Sequence, residues 1–144
     1  MIVLLCDHAG FEIKEYLKNR LVKENYDIVD VGACELDEND DFSTYVGIVR
    51  RTIDTFNTEN KIIAVCGSGV GMCIGLNKIK GVRCVVGHSV SEVEMARLHN
   101  DVNTLALGGR VTGKRVAYKM VKTFLETKSL GGKYARRMSD IEIK

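Results

Sequence analysis

The 144-residue chain has no proline, no tryptophan and no apolar run near the ~20 residues that a membrane-spanning helix needs. Glycine is left to punctuate the turns. The apolar start Ile2-Val3-Leu4-Leu5 is too short for a signal-peptide core and lacks a basic leader, so the expected placement is cytoplasmic, with no membrane partner. The formal charge of +2 is too mild for a nucleic-acid face, and no block of like charges suggests a polybasic anchor. Five cysteines (Cys6, Cys34, Cys66, Cys73, Cys84) form no CxxC pair. Neither a disulfide framework nor a zinc site is expected, and most of these thiols should pack as small core residues. Repeats, low-complexity tracts and linkers are also missing, which leaves one domain.

What is present is an alternation of apolar runs and amphipathic stretches. Ile2 to Cys6 reads as a buried strand ending in the polar turn Asp7-His8-Ala9-Gly10, and Ile13, Tyr16, Leu17, Leu21 and Val22 follow with helical spacing. Tyr26 to Gly32 is a second strand, and the acidic stretch Glu35 to Asp41 reads as a solvated loop. Val46, Val49, Ile53 and Phe56 predict a helix from about residue 44 to residue 57. Lys61 to Val65 and Gly81 to Gly87 are the third and fourth strands, with a helix over about 70–78 between them and a short one over 92–99 after. Thr104 to Gly109 is the fifth strand, and Val116, Ala117, Met120, Val121, Phe124 and Leu125 mark a strongly amphipathic helix. The last 16 residues carry little core. Continuous apolar strands separated by helices predict an α/β fold, a three-layer sandwich around a five-stranded, parallel, doubly wound (Rossmann-like) sheet.

Ligands in such folds bind at the carboxyl ends of the strands. Two turns fall there: Asp7-His8, and Cys66-Gly67-Ser68-Gly69-Val70-Gly71-Met72. Glycines 67, 69 and 71 permit close approach to a ligand, and the helix that opens after them offers backbone N–H groups to an anion. The same helix start would stabilise a thiolate at Cys66. A second reading of Cys66 is a packed strand-end residue, and Asp7-His8 reads equally as a helix cap. His99-Asn100-Asp101 reads as a helix stop or as a functional cluster. Lys133 and Arg137 lie at i and i+4 if the tail is helical, a spacing that could clamp a phosphate, and Arg110 follows Gly108-Gly109 at the ligand end of the sheet. No lysine follows the glycine turn in P-loop order, and GxGxG after the third strand is not the dinucleotide fingerprint. A cysteine hydrolase, with Cys66 as nucleophile and His99 or His8 as base, stays open on these residues alone.

Taken together, Asp7-His8-Ala9-Gly10-Phe11, Cys66 to Met72, Asn77-Lys78, Gly81-Val82-Arg83, His99-Asn100-Asp101, Leu105-Ala106-Leu107-Gly108 and Gly131-Gly132 ahead of Arg137 resemble, in order and spacing, the B-type ribose-5-phosphate isomerase family. That family includes related isomerases for allose and galactose phosphates. The resemblance spans nearly the whole chain and implies an aldose–ketose isomerase domain over residues 1–144 that uses no cofactor and no metal. It makes Cys66 the base that moves a proton between C2 and C1, and assigns furanose opening to His99, with Asp7 and Ser68 orienting or relaying. The backbone around Gly67, Gly69 and Gly71, with Asn100, would face the enediolate, and His8, Arg110, Lys133 and Arg137 would hold the phosphate. It also implies a homodimer, or a dimer of dimers, with residues 129–144 packing on the partner.

Two departures stand out. The family commonly shows Tyr-Pro-Asp-Tyr after an aspartate, where this chain has Asp41-Phe42-Ser43-Thr44-Tyr45, so a hydroxyl is missing at Phe42. The usual Gly-Gly-Arg-His is Gly131-Gly132-Lys133-Tyr134, which replaces a bidentate fork with a point charge. The sequence therefore predicts isomerisation of ribose 5-phosphate, with a hexose 6-phosphate isomerase and a non-catalytic sugar-phosphate-binding module as alternatives.

Overall fold

A computed structural model describes residues 1–52 and 60–142. Five strands, β1 (Ile2–Cys6), β2 (Ile28–Asp30), β3 (Lys61–Cys66), β4 (Cys84–Val86) and β5 (Thr104–Gly108), form one sheet in the order β2-β1-β3-β5-β4. Every pairing is parallel. The helices are α1 (Phe11–Lys23), α2 (Phe42–Thr52), α3 (Val70–Leu76), α4 (Val90–Asn100), α5 (Lys114–Glu126) and α6 (Lys133–Ile141). This is the expected doubly wound sandwich. The expected continuation of α2 through Ile53 and Phe56 lies outside the described residues.

The layers follow from the side-chain pattern. Ile13, Leu17 and Leu21 of α1, Val93 of α4, and Ala117, Met120, Val121 and Phe124 of α5 cover one face of the sheet. Val46 and Val49 of α2 with Met72 and Leu76 of α3 cover the other. Strands β1, β3 and β5 are buried on both faces, which is why they read as unbroken apolar runs. Val22 and Val116, counted in the periodic sets above, fall at the helix margins and are exposed.

The edge strands are shorter than their apolar runs. Pairing on one side only lets the ends of β2 and β4 leave the ladder, although Val31 and Gly87 still donate to Leu4 and Ala106 carbonyls at 2.9 Å. Entry to β4 is held instead by Asn103, which accepts from Arg83 N–H and donates to the Gly81 carbonyl at 2.7 Å. The cysteines also divide: Cys6 and Cys66 are buried, Cys73 and Cys84 half-buried, and Cys34 exposed.

The chain leaves β1 toward β2 and leaves β3 toward β5 and β4, so the direction of winding reverses between β1 and β3. A crevice is expected at the carboxyl ends of that strand pair. Among the described residues no helix is long and apolar enough to cross a membrane.

Candidate active site

At the end of β1, Asp7 is buried and its Oδ1 accepts from the N–H groups of Ala9 (3.0 Å) and Gly10 (3.2 Å). The carboxylate thus caps a single 3-10 turn, His8–Gly10. Burial pushes its carboxyl above the ordinary range. Gly10 is required here because a Cβ would meet the Val65 carbonyl oxygen at 2.2 Å, so the first turn lies directly on β3.

Cys66 is the last residue of β3 and only 4% exposed. Gly69, in the left-handed region at φ 81°, turns the chain so that its N–H donates to Cys66 Sγ at 3.2 Å. Val70 N–H donates to Ser68 Oγ at 3.3 Å. The segment after β5 is hydrogen-bonded to this turn, Gly109 N–H to the Cys66 carbonyl (2.6 Å) and Arg110 N–H to the Gly67 carbonyl (3.0 Å). Those two bonds lay the Arg110 guanidinium beside Gly67, where a Cβ would be 3.3 Å from it. The Phe42 ring packs on Gly71 from the other side.

The result is a cleft of about 400 Å³ whose walls include Asp7, His8, Cys66, Ser68, Arg110 and Phe42, with Gly67 and Gly71 on its floor. Four segments far apart in sequence meet there, at the point where strand order reverses. A buried thiol, a carboxyl, a hydroxyl, an imidazole and a guanidinium share one space. The arrangement suits a small anion: a guanidinium and an imidazole line the same cleft as a buried thiol.

The other sequence candidates sit elsewhere. His99 and Asn100 end α4, which runs back toward the amino end of β5, so they lie at the opposite end of the sheet from Cys66. The helix stop is made by Asp101, left-handed at φ 44°, whose N–H reaches the Ala96 and Arg97 carbonyls. The His99 imidazole is therefore not spent on capping; it stacks on Tyr134 with centroids 4.4 Å apart. Asn100 Nδ2 donates to Met138 Sδ at 3.4 Å. Lys133 and Arg137 both lie over the Tyr134 ring, at 5.3 and 5.9 Å from its centroid. In a single chain the candidates thus form two groups, and α6, which packs along α4, has no buried residue of its own.

Two residues, one beside the cleft and one in the second group, escaped the sequence reading. Asp40, in the stretch read as a solvated loop, accepts at Oδ1 from His8 N–H (2.8 Å) and His8 Nδ1–H (2.7 Å), and at Oδ2 from the Tyr45 hydroxyl (2.9 Å). An acidic run carries no signal that one member turns inward. Tyr134 was visible only as a departure from a family pattern, and its ring gathers His99, Lys133 and Arg137. Among the described residues no group of three or more His, Cys, Asp or Glu side chains could hold a metal ion.

Residues 2–141 match the family model described as Ribose/Galactose Isomerase. The ribose-5-phosphate isomerase B of Escherichia coli is 33% identical over 94% of this chain and 90% of its own length. The probable ribose-5-phosphate isomerase B of Mycoplasma pneumoniae is 31% identical over 97% and 91%. Among solved structures, Mycoplasma genitalium ribose-5-phosphate isomerase B with bound ribulose-5-phosphate superposes with a TM-score of 0.92 at 31% identity, covering 97% of this chain and 92% of that one. The Thermotoga maritima ribose 5-phosphate isomerase gives 0.91 at 35% identity, covering 98% and 96%. With a matching family model over nearly its full length, relatives above 30% identity and the same fold, this chain belongs to the ribose/galactose isomerase family.

Proposed function

We propose that the protein interconverts ribose 5-phosphate and ribulose 5-phosphate through an enediolate, with Cys66 as the base. The observation that carries this reading is the meeting of Cys66 with Asp7, His8, Ser68 and Arg110 in one cleft. In the open-chain aldose, Cys66 Sγ takes the C2 proton, the electron pair forms the C1–C2 double bond, and returning the proton to C1 gives the ketose. The oxygen that becomes negative is met by N–H groups of the Gly67 to Gly71 turn and by the Asn100 amide. Asp7, whose carboxyl burial pushes above the ordinary range, and Ser68 are placed to pass the hydroxyl proton between O1 and O2. Arg110 and His8 take the phosphate from this chain.

His99, Asn100, Lys133 and Arg137 complete the site from a second copy. Their position at the far end of the sheet supports a shared site, because no side chain spans that length. Val70 and Ile74, one turn apart on α3 beside the cleft, expose an apolar strip that such a partner would cover. α6, which packs along α4 of its own chain, would face the partner together with it, His99 opening the furanose and Lys133 and Arg137 closing on the phosphate.

Incubation with a panel of pentose 5-phosphates and hexose 6-phosphates, followed by NMR in heavy water, tests the reading. Ribulose 5-phosphate with solvent deuterium at C1 is expected, and a Cys66→Ala change should lower turnover by about 10³-fold or more while phosphate still raises Tm. The mechanism draws on no metal, so EDTA leaves the rate unchanged. Conversion of a hexose phosphate alone would move the substrate, and near-wild-type turnover by Cys66→Ala would sink the mechanism.

A further inference from the structure

His8 has two ring nitrogens, and which one faces the cleft decides what it can bind. Its Nδ1–H is committed to Asp40 Oδ1 at 2.7 Å, the same oxygen that receives its backbone N–H at 2.8 Å. The other oxygen of Asp40 is held by the Tyr45 hydroxyl at 2.9 Å. Asp40 is only 11% exposed at its side chain and His8 26%. Three donors from the β1 turn and α2 therefore converge on one carboxylate that borders the cleft without lining it. Nothing in the motif set assigns it a task.

We propose that Asp40 is a positioning residue: it fixes His8 Nδ1 as a donor in either protonation state, favours the cationic ring, and so leaves Nε2–H as the donor offered to the phosphate end of the cleft. What Nε2 meets rests on the isomerase reading above; the tautomer and the charge do not.

The chemistry behind the charge is simple. With Nδ1 fixed as a donor, a neutral His8 presents a lone pair at Nε2, which repels a phosphate oxygen. A protonated His8 presents N–H, which binds one. The hydrogen bond to Asp40 raises the imidazole above its ordinary range, with Asp7 adding to the rise; partial desolvation and Arg110 oppose it. Those groups, with the Tyr45 hydroxyl behind Asp40 and the Cys66 thiol across the cleft, are the titratable neighbours of the ring. Asp40 thus offsets the repulsion between two cations that must share one dianion. It has a second consequence, because Asp40 lies two residues before Phe42, and pinning it to His8 ties the wall carrying that ring to the turn carrying the imidazole.

The test compares wild type, Asp40→Asn and Tyr45→Phe. The Asn variant keeps an oxygen for both His8 N–H groups and removes the charge together with the acceptor of the Tyr45 hydroxyl, a loss that Tyr45→Phe reproduces by itself. Because the chain has three histidines, the ring of His8 can be followed by ¹⁵N NMR in the free protein, its signals identified by their loss in His8→Gln. The wild-type ring should titrate above 6.5 and convert to the Nδ1–H tautomer on deprotonation. In Asp40→Asn the titration should fall toward 6.5, with a smaller fall in Tyr45→Phe. Kinetically, Asp40→Asn should raise KM for ribose 5-phosphate about tenfold at pH 8 with kcat within about threefold, and the KM gap should close at pH 6. A His8 titration that ignores Asp40→Asn overturns the proposal, as does a KM gap equal at pH 6 and pH 8, which is what a mere loop brace would give. If wild type turns over no sugar phosphate while the His8 titration still moves with Asp40, the isomerase reading fails and the positioning role stands.

Discussion

The separation of Cys66 from His99 gives the sharpest test of a shared site. Cys66 pairs with Gly108 at the exit of the sheet, whereas His99 precedes Thr104, the first residue of β5, at its entry. Four residue steps along β5 are about 13 Å, and direct proton transfer needs a heavy-atom contact near 3 Å. The two side chains of one chain therefore cannot serve one substrate. Across a twofold axis they can, because each site then takes Cys66 from one protomer and His99 from the other. Cys66→Ala and His99→Ala homodimers should both be crippled, the latter keeping only the flux that spontaneous ring opening allows. In a mixed dimer one site lacks both residues and the other retains both. Two differently tagged chains, co-expressed and purified through both tags, should recover about half of the wild-type turnover per dimer, and an unpurified equal mixture about a quarter. A doubly purified mixed dimer as inactive as its parents would refute the shared site.

Much of this architecture is legible in the sequence, and for identifiable reasons. β1, β3 and β5 are covered on both faces, so every position is apolar and the run declares itself; β2 and β4 pair on one side and their apolar runs overstate them. The insertion of β5 between β3 and β4 is not legible, since nothing local distinguishes a central from an edge apolar run of this length. The first half of the site is legible because each member follows a strand that ends at the same edge of the sheet. The distance to His99 could also have been read, because a helix that precedes a strand must finish at the entry end of that strand. Asp40 is different: its partner His8 lies 32 residues away, and only the closed fold tells the inward aspartate from its solvated neighbours.

Three further outcomes follow from the packing. Lys14 is fully buried and paired with Asp30 at 2.7 Å and with Glu15 at 2.6 Å, so Asp30→Ala should cost about 1–3 kcal/mol in urea denaturation by leaving the buried ammonium only the part-exposed Glu15 carboxylate and the Ala33 carbonyl, whereas Lys14→Met should cost less because Lys18 still neutralises Asp30. A larger loss from Lys14→Met would refute that account. Gly71→Ala would set a Cβ 2.9 Å from the Phe42 ring and should destabilise by about 1–3 kcal/mol, relieved in a Phe42→Ala background; strict additivity of the two changes would show that the ring is not the obstacle. The last concerns pH and the His8–Asp40 pair. His8 is raised above its ordinary 6.5 by the hydrogen bond to Asp40, so its contribution to stability is complete below about pH 6.5 and fades as pH rises through the folded value. Asp40 is held below its ordinary 3.8, against the cost of its burial, by the His8 N–H, the His8 ring and the Tyr45 hydroxyl. Its contribution is present above 3.8 and fades as pH falls through the folded value. The two conditions overlap between 3.8 and 6.5. Asp7, raised by burial, works in the opposite sense, but it is present in wild type and Asp40→Asn alike and drops out of their difference to first order. The urea midpoints of the two proteins should therefore stand furthest apart near pH 5–6 and converge toward pH 9, and a gap that stays constant from pH 5 to 9 would mean that the pair carries no charge-dependent interaction.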